Sequence, residues 1–313
     1  MQQSHPTDSN VNSLVQFYLS LQGVRSSLPN TAPPVPAALP PAAALPPAKL
    51  TVFDVSGTSA LAVLTAGRVG SSTAQTVPSW KLATLINPSL ITIKEVPYPA
   101  CVPFNASCNA GAATLVKMIN QTPGKFAMVG TSQGAMVIAS VYDTILNGAL
   151  SSRNGDFMQG ITYGNPCRQK GSIARGCVDP GGNGINVAGL QKTVDSRWWD
   201  FVNPGDPAAC NGGGPWKVNG VTYDYRNAIG TWTALLFAEM CRNFSGDLAA
   251  LIGQLQNPPL NIFALAASLF DTLTGVTVGP HTTYDKTTPL SGNLLTCTQL
   301  AAQQLMSIAA SLP

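Results

Sequence analysis

The chain predicts an α/β fold with a mainly parallel sheet flanked by helices, and three observations carry that expectation. Short β-rich runs recur along the chain. Helix-forming stretches separate several of them. A Gly-x-Ser-x-Gly turn joins one run directly to a helix. Strand and helix alternating at this spacing favour parallel pairing with helices over both faces. The runs are Leu50–Val55, Ile91–Val96, Lys125–Val129, Phe157–Tyr163 and Trp198–Val202. Ala110–Gln121 and Ala135–Leu146 carry helical periodicity between them. After Tyr223 the texture becomes helical: Ala228–Arg242, Asp247–Gln256 and Asn261–Leu273, with Pro258-Pro259 breaking the second from the third. This reads as a helical insertion over about residues 226–276, rich in Leu235, Leu236, Phe237, Ile262, Phe263, Leu265, Leu269 and Phe270. A last helix is expected near Leu300–Ala310. Ahead of the sheet, residues 1–49 form a separate segment. It has a short amphipathic helix over Val11–Leu21, then a stiff proline-rich linker from Pro29 to Pro47. Residues 50–313 make the α/β domain.

Composition excludes several classes. Seventeen Lys+Arg against 14 Asp+Glu give a net charge of +3 over 313 residues, with no basic block, which argues against a nucleic-acid partner. An apolar fraction of 45% is enough for a sizeable core, so general disorder is excluded. No apolar run reaches the length of a transmembrane helix. The polar start, Met1–Asn10, has no secretory leader, so the expected place of synthesis is the cytoplasm. Seven cysteines without a C-x-x-C pair, and only two histidines, speak against zinc. Disulfides are open; the sequence neighbours Cys101/Cys108 and Cys167/Cys177 are the expected pairs, with buried free thiols as the even alternative.

Gly130-Thr131-Ser132-Gln133-Gly134 is the sharpest motif. The strand-like Phe126–Val129 enters it and the helix-like run from Ala135 leaves it, the setting of a nucleophile elbow. Ser132 then projects its hydroxyl at the carboxyl edge of the sheet, beside a helix N-terminus whose dipole favours a developing oxyanion. A serine needs a base to accept its proton. Of the two histidines, His5 lies in the polar tail, which leaves His281. The imidazole needs an acid to orient it, placed between serine and histidine in chain order. Asp206, in the turn Asn203-Pro204-Gly205-Asp206 just after a strand, meets both conditions. Asp195, Asp224 and Asp285 stay open, while Asp200, inside the strand, reads as structural. The oxyanion donors are expected to be the N–H of Gln133 and that of Thr58, whose hydroxyl would add a third. No metal or organic cofactor is required.

The set Gly130-x-Ser132-Gln133-Gly134, Tyr163-Gly-Asn-Pro-x-Arg168, Asn203-Pro-Gly-Asp206 and Pro280-His281-x-x-Tyr284 resembles the lysin B esterases of phages that infect mycobacteria and related actinobacteria, relatives of the cutinases. The likeness covers about residues 50–313 and includes the insertion ahead of the histidine. It implies an α/β-hydrolase, cutinase-like fold with Ser132, Asp206 and His281 as catalytic triad and Thr58 at the oxyanion hole. The implied reaction is hydrolysis of the ester joining mycolic acids to arabinogalactan. The enzyme would be a monomer made in the host cytoplasm, reaching the envelope once other lysis proteins have opened the membrane. Seven cysteines are many for that family, and Cys210 so close to Asp206 is more like a cutinase. Residues 1–49 lack its peptidoglycan-binding repeat. A cellular cutinase-like lipase, a mycolyltransferase or a non-catalytic envelope-binding or virion protein are the alternatives.

Overall fold

The computed structural model describes residues 49–58, 77–192, 194–218, 220–226, 228–242, 280–289 and 294–313, all within the compact unit Leu45–Pro313. Five parallel strands form the main sheet: β1 (Leu50–Val55), β2 (Ile91–Glu95), β3 (Lys125–Thr131), β4 (Phe157–Tyr163) and β5 (Trp198–Phe201). Their order across the sheet is β2-β1-β3-β4-β5. The chain builds β1 and β2 in one direction, then reverses to add β3, β4 and β5. The reversal falls between β1 and β3, so a crevice opens there beyond the carboxyl ends of the strands. Ser132 follows β3 directly, and Thr58 lies three residues beyond the end of β1.

Each face of the sheet has its own core. Phe53 and Val55 of β1 and Phe126 and Met128 of β3 point to one side, against helices α2 (Phe104–Gln121) and α3 (Gln133–Asn147). Leu50, Val52, Ala127 and Val129 point to the other, against α1 (Val77–Leu85) and α5 (Cys297–Ser311). This two-sided burial explains why β3 reads as a continuous apolar run rather than an alternating one. Helix α2 starts six residues before the expected Ala110, because Phe104, Ser107 and Cys108 are already buried. Helix α5 starts at a capping box, in which Thr296 accepts from the Gln299 N–H and the Gln299 side chain accepts from the Thr296 N–H. The expected helix at Ala228–Arg242 is α4, whose Phe237 packs on Phe104 of α2 at 5.3 Å between ring centres.

Two elements were not expected: α1, and an antiparallel hairpin of β6 (Trp216–Val218) and β7 (Val221–Tyr223). The helices expected at 11–21, 247–256 and 261–273, the linker at 29–47, and Ile262, Phe263, Leu265, Leu269 and Phe270 lie outside the described residues.

The expected disulfides are corrected: all seven cysteines are thiols. Cys167 belongs to the core on the α2/α3 face, whereas Cys177 packs on the opposite core, so the sheet separates them. Cys108 directs its sulfur to the carbonyl of Gln133 rather than to Cys101. Among the described residues no helix is long and apolar enough to cross a membrane, and no cluster of His, Cys, Asp or Glu could hold a metal ion.

Candidate active site

Ser132 occupies the turn between β3 and α3 at φ 54° and ψ −116°, a left-handed conformation that side chains avoid. Such a residue costs on the order of 1–3 kcal/mol and persists only where its surroundings impose it. Here they do. A Cβ on Gly134 would sit 1.9 Å from the Val55 carbonyl oxygen, and one on Gly130 would sit 2.6 Å from the Gly134 oxygen. The two glycines therefore let α3 start hard against β1 and β3. The Ser132 N–H donates to the Tyr163 carbonyl at 2.9 Å, which ties the turn to the end of β4.

His281 and Asp206 meet as expected from sequence. The imidazole Nδ1 lies 2.9 and 3.0 Å from the two oxygens of Asp206. Both residues are buried. His281 sits in a single 3-10 turn, Pro280–Thr282, and Asp206 in the turn after β5. Asn203 clamps the two loops together: its side-chain N–H donates to the Pro280 carbonyl at 2.6 Å, and its carbonyl oxygen accepts from the Thr287 hydroxyl at 2.7 Å. Asp206 also accepts from the Ala208 N–H at 2.8 Å and from the Tyr284 hydroxyl at 2.5 Å. Burial alone would raise its pKa, but the His281 charge and these donors outweigh it and hold the carboxyl below the usual carboxylate range. The remaining imidazole nitrogen, Nε2, is buried and has no hydrogen-bond partner among the described residues.

The end of β4 links the two halves. Tyr163 accepts the serine N–H, and a Cβ on the next residue, Gly164, would meet His281 Cε1 at 2.7 Å and Asp206 Oδ2 at 2.8 Å. The elbow and the His–Asp pair thus abut the same peptide unit. Ser132 and His281 are not hydrogen-bonded to each other.

Thr58 and Gln133 also meet. The Thr58 hydroxyl donates to Gln133 Oε1 at 2.8 Å, and Gln133 Nε2 donates to the Cys101 carbonyl at 3.0 Å. This corrects one expectation: the single hydroxyl proton of Thr58 is committed to Gln133, so that hydroxyl is not a spare donor. Two of the three alternatives to Asp206 have other partners, and Asp285 has no bond to His281. Asp195 pairs with Arg197, and Asp224 with Arg226. Asp200 is buried and accepts from Thr162, Asn165, Ser172 and Trp198, the structural role expected of it.

Sequence reasoning missed the part played by Arg168. Its fully buried guanidinium donates to the carbonyls of Ala209, Ser172, Gly181 and Gly182 and pairs with Asp179 at 2.9 Å. It thereby fastens the loop after β4 to the turn carrying Asp206. The contact of Tyr284 with Asp206 was missed as well, although the spacing His281-x-x-Tyr284 was visible. A cavity of about 340 Å³ lies elsewhere, between β5 and α5, lined by Trp199, Leu300 and Gln303 among others; no site residue touches it.

The PE-PPE domain family model matches residues 81–189. No curated protein matches the chain. Among solved structures, lysin B from Mycobacteriophage D29 superposes with a TM-score of 0.55 at 22% identity, covering 82% of this chain and 99% of that one. A cutinase-like protein from Cryptococcus sp. gives a TM-score of 0.41 at 22% identity, covering 52% of this chain and 79% of that one. With its parallel sheet, elbow turn and loop-borne histidine, the chain has an α/β-hydrolase fold of the kind seen in phage lysin B.

Proposed function

We propose that the chain is a serine esterase that cleaves mycolyl esters of arabinogalactan in the envelope of mycobacteria-like hosts. The observation that carries the proposal is the shared peptide unit: the strained Ser132 turn and the buried Asp206–His281 pair both pack on Tyr163–Gly164. A left-handed serine at a strand–helix junction, packed on the same peptide unit as a histidine with one nitrogen held and the other unpartnered among the described residues, is the arrangement acyl transfer requires.

In this reading Ser132 attacks the ester carbonyl while His281 Nε2 takes its hydroxyl proton. Asp206 fixes the tautomer through Nδ1 and stabilises the imidazolium. The backbone N–H groups of Gln133 and Thr58 hold the oxyanion, and the Gln133 side chain keeps the Thr58 loop in place through the hydroxyl contact. His281 returns the proton to the departing sugar oxygen. Water activated by the same imidazole then frees the acid and regenerates Ser132.

The likeness to lysin B and the paucity of charge, 10% of residues, favour a lipid–polysaccharide boundary as the site of action. Reaching it from the host cytoplasm after the membrane is breached belongs to the same proposal. Mass spectrometry of lipid released from purified mycolyl-arabinogalactan is the test. Free mycolate should appear with the wild type and not with Ser132→Ala. Hydrolysis of a short p-nitrophenyl ester without mycolate release would overturn the substrate and leave an esterase; transfer to an added alcohol in preference to water would make it a transferase. Failure of a phosphonate to label Ser132 in the folded protein would remove the enzymatic reading altogether.

A further inference from the structure

We infer that Tyr284 is a positioning residue of the hydrolytic site, the donor that orients the Asp206 carboxylate and sets how strongly it draws the proton of His281. The inference rests on the esterase reading and deepens it. Hydrogen-bond direction makes the argument. The Asn203 N–H points to the Tyr284 oxygen at 3.2 Å and can only donate, so the phenol is the acceptor there. Its one proton is then free to go to Asp206 Oδ2, at 2.5 Å. The ring has no freedom to turn away: Tyr284 is wholly buried and leans on Tyr163, whose ring centre is 5.8 Å distant and which in turn stacks on Phe201.

The position of Tyr284 in the chain adds a second strand to the argument. It follows His281 by three residues, so one short segment supplies both the base and a donor to the acid that orients it. Asn203, three residues before Asp206, receives that segment through Pro280, Thr283 and Tyr284. The carboxylate is thus gripped on one oxygen by the Ala208 N–H and on the other by the phenol, with the imidazole bridging both. A carboxylate held at both ends cannot rotate out of the imidazole plane. Among the described residues the ionisable groups facing Asp206 are His281, Tyr284 and Cys210, with Arg168 and its partner Asp179 beyond Cys210. Tyr284 donates to Asp206 from the segment of the catalytic histidine itself.

Removing the phenol proton leaves a more basic carboxylate, which protonates more readily and pulls harder on the imidazolium. Both effects move the acid limb of the activity profile to higher pH. For Tyr284→Phe we expect kcat on a p-nitrophenyl ester to fall about tenfold, the size of one lost hydrogen bond to a charged group, with KM changed less than twofold. The acid limb should rise by about half a unit. In an Asp206→Asn background the same substitution should have little further effect on kcat, because the group it acts through is already gone. A limb that stays in place, or a loss that multiplies undiminished with Asp206→Asn, would mean Tyr284 only packs the loop. If Tyr284→Phe does not fold, the wild type carrying 3-fluorotyrosine reads the same coupling: a stronger donor should lower the limb, and an unmoved limb overturns the inference. These outcomes differ from failure of the esterase reading, in which the wild type itself turns over no ester.

Discussion

Gly164 offers the sharpest probe of whether the His–Asp pair is held by its neighbours or merely lies near them. It sits at φ +61°, so alanine there incurs about 1–2 kcal/mol of left-handed strain. More telling is where the new methyl group goes. It would lie 2.7 Å from His281 Cε1, 2.8 Å from His281 Nδ1 and 2.8 Å from Asp206 Oδ2, whereas ordinary contact begins at 3.4 Å. The difference, 3.4 − 2.7 = 0.7 Å, is the least by which the imidazole or the strand end must move. Neither neighbour is a flexible side-chain tip. The ring is pinned through Nδ1 to a carboxylate that is itself fixed on both oxygens. A misplacement near 1 Å at a reacting group costs on the order of a hundredfold in rate. Gly164→Ala should therefore lower kcat by roughly 10- to 100-fold, while the melting transition drops only by what about 1–2 kcal/mol explains. Steady-state kinetics on a chromogenic ester, with thermal unfolding in parallel, reads both. A folded Gly164→Ala protein with kcat within twofold of wild type would refute the claim that this peptide unit sets the imidazole's position.

The other predictions concern stability and the elbow. Arg168→Met should cost about 3–5 kcal/mol, the range for removing one partner of a buried ion pair, because it takes the donors from five carbonyls and the cation from Asp179, which keeps only the Gly171 and Gly181 N–H groups; denaturant unfolding measures it, and a loss under 1 kcal/mol would contradict the clamp. Since Asp206 has a depressed folded-state pKa, its contribution is present above the unfolded carboxylate value near 3.9 and is lost as pH falls through the folded value below it. Below about pH 4 the wild type should thus lose stability more steeply than Asp206→Asn, and parallel acid-unfolding curves would refute this. Burial pushes the Cys167, Cys241 and Cys297 thiols up to about 12 and the half-buried Cys177 to about 11. At pH 8 a thiol reagent should label Cys177 first and the full set of seven only on unfolding, and several fast-reacting thiols in the native protein would contradict the burial. Replacing Ser132 by Gly rather than Ala removes the same hydroxyl but relieves the left-handed backbone at φ 54°, so the Gly variant should be the more stable of the two by about 0.5–1 kcal/mol; the reverse order would mean no strain is stored there.

The parts of the site legible in the sequence share one property: each is fixed by local chemistry or by scarcity. Gly130 and Gly134 announce a turn whose neighbours come within clash distance of any Cβ. His281 stands out because the only other histidine is in the tail. Asp206 follows from a strand end and a turn. Strands β1 and β4 were legible to the residue because their termini coincide with changes in composition. What stayed hidden depends on tertiary encounters. The first six residues of α2 look irregular until the core gives Phe104 and Cys108 something to pack on. Helix α1 was missed because little in its sequence separates a buried face from an exposed one. The hairpin β6–β7 had a readable signal, Asn219-Gly220 between two valines, but strands of three residues fall below the length at which alternation can be recognised. The cysteine pairing failed for a geometric reason, since closeness in sequence says nothing about which face of a sheet a loop turns towards.

The same distinction explains how this site can hold strain. Ser132 is kept in a disfavoured conformation by groups that are far apart in sequence: the Val55 carbonyl against Gly134, and the Tyr163 carbonyl on the serine N–H. Those groups belong to β1 and β4, the strands that flank β3. The turn cannot relax without moving a strand, and each strand is buried against two cores. The His–Asp pair is built the opposite way, from two buried turns outside the sheet. Rigidity reaches it through polar clamps, with Asn203 joining the loops and Arg168 tying the Asp206 turn to the end of β4. Apolar packing therefore fixes Ser132 and hydrogen bonding fixes His281, and the Tyr163–Gly164 peptide is where the two systems touch. A perturbation of either core should show itself first as lost stability, whereas a perturbation of the Asn203 clamp should reach the rate before the fold.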